Sequence, residues 1–496
     1  MEIMFKENQL EYLGITETDT VYQEETTEVT LPDSLPDADR ILEIRGTPVV
    51  RSREHSGNTC TVNGGLPVTV LYLTENDPTP QRLETYLSFR VKKDIPGAEE
   101  GSVQYRIWLR GLDARRINTR KLLIRANLGS EFTLFEQKIQ SLASLEAPPS
   151  CMQVKTGKYE LLLPQTCGEK EVQLSDELPL SENAGEIDEI LCRSTEPILT
   201  EWKILGNKAV FKGELRVHLL YRDGSGNLQA GEERMPFSQY LELDQEWDDG
   251  ELVLQPLLTA MEVEKESPNS LAINCSLLVQ ATVFTKQTVS FTEDAYSTEG
   301  SLETEWETPN LPAVLDLQQL RETGLIRIQT EAAEILDHTV LLDRVNVRRD
   351  GDQAWLSVPV TVGILYWDED RQLRWKTGRS EVSCAVVLAE NAKCRAEAWM
   401  TGLKCTIRDG TVEAACEVQF SLLSRFDGIW KNLSGASITP DQENEQRPSV
   451  IVRRVQENGI WEIAKQNRAK VEQICAANHL TGEVVPVGTL LLIPLH

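Results

Sequence analysis

Three stretches of the chain place apolar residues at every second position up to a tyrosine. They are Leu66, Val68 and Val70 before Tyr72, Leu215, Val217 and Leu219 before Tyr221, and Val360, Val362 and Ile364 before Tyr366. A period of two with β-branched residues predicts a strand that buries one face. Turn-forming residues follow each tyrosine, at Glu75-Asn76-Asp77-Pro78, Asp223-Gly224-Ser225-Gly226-Asn227 and Asp368-Glu369-Asp370, so each strand should turn and return. The returning strands are marked by Phe237, Tyr240 and Leu241 and by Leu373 and Trp375. Farther on, Ile273, Cys275, Leu277, Val279 and Ala281 predict another strand, and Asp409-Gly410 predicts a hairpin between Leu403–Ile407 and Val412–Val418.

These marks recur together. An Ile-Leu pair stands upstream each time, at Ile41-Leu42, Ile190-Leu191 and Ile335-Leu336, and both marks are offset by 149 and then 145 residues. Two separate marks with the same offsets define an internal repeat. The predicted fold class is mainly β, with three tandem antiparallel sandwich-like repeats over 1–147, 148–296 and 297–436. The boundaries follow Glu146-Ala147-Pro148-Pro149-Ser150 and the polar stretch Ser297 to Pro312. A polar linker is expected over 437–448.

The period changes over 449–496. Val450–Val452 reads as a strand, Trp461–Gln466 and Val471–Asn478 as two short helices, and Thr489–Pro494 as a closing strand. Ile463, Ala464, Val471, Ile474 and Cys475 fall at helical spacing and are expected in a core. This small α+β unit resembles a LysM domain, through Trp461-x-Ile463-Ala464-Lys465, Ala477-Asn478-x-Leu480, and Gly488 followed by Leu491-x-Ile493-Pro494. The family usually has Gly-Asp-Thr-Leu just before the tryptophan, a turn that helps to form the amino-sugar groove of glycan-binding members. Here those positions read Glu457-Asn458-Gly459-Ile460, which argues against a sugar ligand. The resemblance points to a partner-binding groove near Arg453, Arg454, Asn458, Ile460, Trp461, Asn478 and Leu480. Trp461 has two readings, as an aromatic anchor facing a partner or as a helix-start residue packed on Leu491 and Ile493.

Three β repeats with the Leu-Tyr mark, closed by a LysM-like unit, resemble the SPOCS-repeat coat morphogenetic proteins of endospore-forming bacteria, to which stage VI sporulation protein D is a functional counterpart. The likeness covers essentially the whole chain. It implies a scaffold in the mother-cell cytosol at the forespore surface. Its LysM domain would bind the coat-basement ATPase, stage IV sporulation protein A, and its repeats would recruit other coat proteins. The alternative is a peptidoglycan- or chitin-binding protein of the cell wall or spore cortex.

Charge sharpens this picture. With 78 acidic against 50 basic residues the chain carries −28, which disfavours nucleic acid and anionic membranes as partners. Residues 449–496 hold five basic and four acidic side chains, a net of +1, so residues 1–448 carry −29. Acidic modules bearing a near-neutral docking unit fit an adaptor whose repeats engage several partners or further copies of itself. Met1–Glu7 has acids where an export signal has bases, and no run approaches the ~18 apolar residues of a membrane span, so an intracellular protein is expected.

No catalytic set stands out, and neither an enzyme activity, a cofactor nor a metal is expected. The ten cysteines never come closer than ten residues, and Cys384, Cys394, Cys405 and Cys416 are expected as small apolar residues of a β core. The acidic groups Glu232-Glu233, Asp248-Asp249 and Asp368-Glu369-Asp370 read as solvated turns. His218 stands where the sister repeats have Thr69 and Gly363, and His338 where they have Ile44 and Arg193. A role common to the repeats cannot need imidazole at either position, so both read as structural.

Overall fold

The structure is a computed structural model that describes residues 3–495 except 146, 182–184, 248, 352, 390, 441–448, 456–458, 481, 483 and 484. It is mainly β, with antiparallel pairing throughout and a small strand–helix–helix–strand unit at the C-terminal end.

The first repeat holds β1 (Lys6–Glu17), β2 (Val21–Thr30), β3 (Arg40–Gly46), β4 (Val49–Ser56), β5 (Thr59–Leu73), β6 (Gln81–Asp94), β7 (Ser102–Asn118) and β8 (Lys121–Ser144). One sheet centres on β5, which pairs with β3, β4 and β6; the other centres on β8, which pairs with β1, β2 and β7. Their inner faces bury Val62, Leu66, Val68, Val70 and Tyr72 against Leu122, Ile124 and Phe132. Two facing sheets with alternate residues turned inward make a sandwich.

The second repeat uses β9 (Met152–Pro179), β10 (Ile187–Leu205), β11 (Lys208–Asp223), β12 (Leu228–Glu242), β13 (Glu251–Ser267) and β14 (Ser270–Ser297). Here β9 does the work of β1 and β2, and β10 that of β3 and β4. The predicted inward row Ile273 to Ala281 lies in its core. The third repeat follows with β15 (Ser301–Glu307), β16 (Asn310–Gln329), β17 (Ala332–Leu342), β18 (Asn346–Asp350), β19 (Gln353–Asp368), β20 (Leu373–Val387), β21 (Lys393–Arg408), β22 (Thr411–Ile429) and β23 (Asn432–Thr439). The hairpin between β21 and β22 turns through Asp409 and Gly410, both at positive φ, as a two-residue turn matched to strand twist requires. Cys384 and Cys416 are buried in this core, and Cys394 and Cys405 pack against it.

The expected linker starts later than its composition suggests. Ser437–Thr439 pair with Ser301–Glu303 as the end of β23, and 441–448 lie outside the described residues. The terminal unit consists of β24 (Val450–Arg454), α1 (Gly459–Asn467), α2 (Val471–Ala477) and β25 (Leu490–Pro494). Ile463, Ala464, Val471 and Ile474 are buried in its core with Leu491 and Ile493, while Cys475 packs at its edge.

The Leu-Tyr mark explains how the repeats assemble. Side chains alternate along a strand, so neighbours point to opposite sides of the sheet. Tyr72, Tyr221 and Tyr366 point into the cores of their own repeats. Leu71, Leu220 and Leu365 point the other way and meet in one shared cluster with Leu42, Leu191 and Cys192. The three repeats are therefore arranged about a common pseudo-threefold axis. Each leucine is fully buried there, worth about 1.5–3 kcal/mol apiece by area. A second shared cluster joins Tyr12, Leu161, Phe291 and Leu311 from all three repeats.

Candidate functional site

The axial cluster carries chemistry on one side. All three repeats have a bulge at the Ile-Leu pair itself, where register shifts between Ile41 and Glu43, Ile190 and Cys192, and Ile335 and Asp337. A bulge inserts one residue and lets successive side chains turn to the same side. Leu42 and Leu191 thus reach the apolar cluster, Leu336 packs against it, and Cys192 joins Leu191 within it. The residues after the pair, Glu43, Cys192 and Asp337, occupy equivalent positions, and each is 1 % exposed.

Arg45 bridges the two acids, its Nε donating to Glu43 and its Nη2 to Asp337. His218 from the second repeat joins them, with Nε2 2.5 Å from Asp337 Oδ1. The His338 ring lies 5.2 Å from that of His218. Burial raises the Glu43 pKa, with Arg45 offsetting only part of that effect. Burial pushes Asp337 in the same direction, but the charge of Arg45 and the His218 contact overcome it and hold the carboxyl well below its ordinary range. Burial depresses His338, and the neighbouring His218 depresses it further. Burial raises Cys192 far above an ordinary thiol, so it is a poor nucleophile. Gly363 takes the third position equivalent to His218 because a Cβ there would overlap the Trp375 ring and crowd Thr339.

This polar hub was not anticipated. The dissimilarity of Thr69, His218 and Gly363 rules out a role repeated three times. It does not rule out one shared site to which each repeat contributes differently. A cavity of about 960 Å³ opens beside the hub, with walls from all three repeats including Arg216, His338 and Trp399. A second, of about 550 Å³, runs past Gln280, Arg395 and Glu17. Between the repeats, Gln280 exchanges hydrogen bonds with the Tyr105 backbone at 2.8 and 3.0 Å, and Arg110 holds Asp343 at 2.8 and 2.9 Å. These polar groups are engaged with one another, and the repeats are interlocked.

The terminal unit is docked on the second repeat. Asp294, near the end of β14, accepts hydrogen bonds from Trp461 Nε1 at 2.7 Å and from Lys465 Nζ at 2.7 and 2.8 Å. Burial raises the Asp294 pKa, but these two donors and the Lys465 charge outweigh it and keep the carboxyl below its ordinary range. Two residues on, the Tyr296 hydroxyl donates to the Ala469 carbonyl at 2.7 Å, and its ring meets Trp461 edge-on at 5.0 Å. Trp461 therefore faces another part of its own chain, and Lys465, Asp294 and Tyr296 complete a site of which only its neighbourhood was foreseen.

The other expected groove residues divide. Ile460 is 1 % exposed and helps to form the core, so it offers no contact surface. Asn478 staples the unit, donating to the Ile474 and Leu492 carbonyls and accepting from Leu492 N. Leu480 packs against the core. Asn458 lies outside the described residues. Arg453 and Arg454 are exposed on β24, next to an apolar face of Val450, Val452, Leu490 and Leu492.

Residues 186–265 match the family described as SipL, SPOCS domain, which connects the second repeat to a sporulation-related module. No curated protein matches the chain. No solved structure matches it either. Among the described residues, no helix is long and apolar enough to cross a membrane, and no three His, Cys, Asp or Glu side chains are placed to hold a metal ion.

Proposed function

We propose that this chain is a non-enzymatic scaffold of endospore coat assembly, acting in the mother-cell cytosol at the forespore surface. Its C-terminal unit, read as a LysM-like domain, docks on the coat-basement ATPase, and its repeats recruit other coat proteins. The observation that carries this reading is the SPOCS match over 186–265, set inside a body of three interlocked repeats. The hub supports a structural body, since the Glu43 and Asp337 side chains are wholly buried and held by Arg45. The open face of the terminal unit supports docking, because paired exposed arginines beside apolar residues suit an acidic, partly apolar protein surface.

Tyr296 belongs to the core of the terminal unit, so residues 449–496 alone lack part of it. The test is accordingly a pull-down from sporulating cells with the full chain as bait. The coat-basement ATPase should be recovered with other coat proteins, and Arg453→Glu with Arg454→Glu should lower its recovery by at least about tenfold. Recovery of insoluble peptidoglycan without coat protein overturns the scaffold reading.

A further inference from the structure

Trp461 and Lys465 are four residues apart on α1, so an indole N–H and an ammonium converge on one point. The Asp294 carboxylate occupies that point with both oxygens engaged. Asp294 and Tyr296 are two apart on a strand, which turns both side chains toward the same neighbour. The tyrosine ring then seats against Trp461 while its hydroxyl reaches the Ala469 carbonyl. Among the described apolar residues of the terminal core, Tyr296 is the one supplied from outside the unit. What the second repeat offers Trp461, Lys465 and Ala469 is thus a short pattern, an extended acid-x-tyrosine. The clasp is also partly open to water, with 39 % of the Lys465 side chain and 20 % of the Asp294 side chain exposed.

We infer that Trp461, Lys465 and the Ala469 carbonyl form a receptor for an extended peptide bearing a carboxylate and, two residues later, a tyrosine, and that β14 fills this receptor in cis. A partner presenting the same pattern exchanges with β14, so the unit has a docked state and an engaged state. The cis segment has the advantage of high effective concentration, which sets the affinity that a partner must exceed. This inference rests on the reading of the terminal unit as a protein-docking module and adds the chemistry of the ligand.

The probe is a labelled synthetic peptide, Ser-Phe-Thr-Glu-Asp-Ala-Tyr-Ser-Thr, which reproduces residues 290–298, added to the full chain carrying Asp294→Ala and Tyr296→Ala. Fluorescence anisotropy should show saturable binding to this variant and at least about tenfold weaker binding to the native chain, whose receptor is filled. An asparagine in place of the peptide's aspartate, or Lys465→Met added to the protein, should each remove the binding. Equal binding of both peptides, or none to a variant whose terminal helices persist by circular dichroism, overturns the inference. If those helices are lost, Asp294→Asn alone replaces the double variant. A gain of peptide binding over the native chain then supports the receptor, and no gain overturns it. The peptide assay contains no coat protein, so its failure leaves the scaffold reading to the pull-down. Peptide binding without coat-protein recovery would sink the scaffold reading alone.

Discussion

Asp337 in the axial hub and Asp294 in the terminal clasp are the same residue type held by a cation from a distant part of the chain. In both, burial raises the pKa and the cation with its hydrogen bonds more than reverses it. They differ in access. The Asp337 side chain is fully buried, whereas that of Asp294 remains in contact with water. Once folded, the hub can release none of its members without stranding a charge in a low-dielectric interior. The Asp294–Lys465 pair can return to water at little cost, so the clasp suits exchange and the hub suits permanence.

The contrast is broken most sharply by deleting one acid at a time. Asp337→Ala leaves Arg45 and His218 without their shared acceptor and should cost about 3–5 kcal/mol in urea denaturation of the full chain. Asp294→Ala should cost no more than about 1 kcal/mol in the same measurement. A cost below about 1 kcal/mol at Asp337 would show that the hub, too, is exchangeable. Replacing the hub as a set, with Glu43→Leu, Arg45→Met and Asp337→Leu, removes the charges together and should be neutral or stabilising by roughly 1–4 kcal/mol.

pH separates Glu43 of the hub from Asp294 of the clasp by sign. Glu43 has a raised folded pKa, so its contribution is complete below its unfolded value and declines as pH climbs through the folded one. Glu43→Gln should flatten that decline in denaturation midpoints as pH rises. Asp294 has a depressed folded pKa, so docking is complete above the ordinary aspartate range and weakens as pH falls through the folded value. Limited proteolysis at decreasing pH should therefore release the terminal unit before the repeats lose their protection. Tyr296→Phe, which removes one hydroxyl donor, should weaken docking by about 1 kcal/mol and leave the body unchanged. Arg454→Ala should shift stability by less than about 0.5 kcal/mol, since its side chain is exposed, and act on partner recovery alone.

Much of the fold was legible in the chain. Alternation before Tyr72, Tyr221 and Tyr366 marked the inward faces, and Ile463, Ala464 and Ile474 marked the terminal core, because burial writes its own period into sequence. The axis left a weaker trace. Leu71, Leu220 and Leu365 interrupt the alternation just before each tyrosine, and they are the surfaces on which the repeats meet. The bulge that turns Glu43, Cys192 and Asp337 toward that meeting point is a one-residue slip without a period of its own. His218 serves Asp337 of the third repeat rather than its own, a pairing that Thr69 and Gly363 at the equivalent positions do not share. For the clasp, Trp461 and Lys465 at helical spacing were visible. Their acceptor lay 167 residues away from Trp461, in a strand where an acid directly after Glu293 looks like solvent-facing surface.

Positions 43, 192 and 337 hold a carboxylate, a thiol and a second carboxylate around one centre. A homotrimer built from a single repeat could not have them. Its symmetry would place three copies of one side chain there, whether three glutamates in mutual repulsion or three cysteines forming a neutral plug. Joining the copies in one polypeptide frees each to differ. Inheritance as a single gene product thus permits one arginine shared by two unlike acids, where rotational symmetry would impose three identical sets, and it fixes which repeat stands beside which.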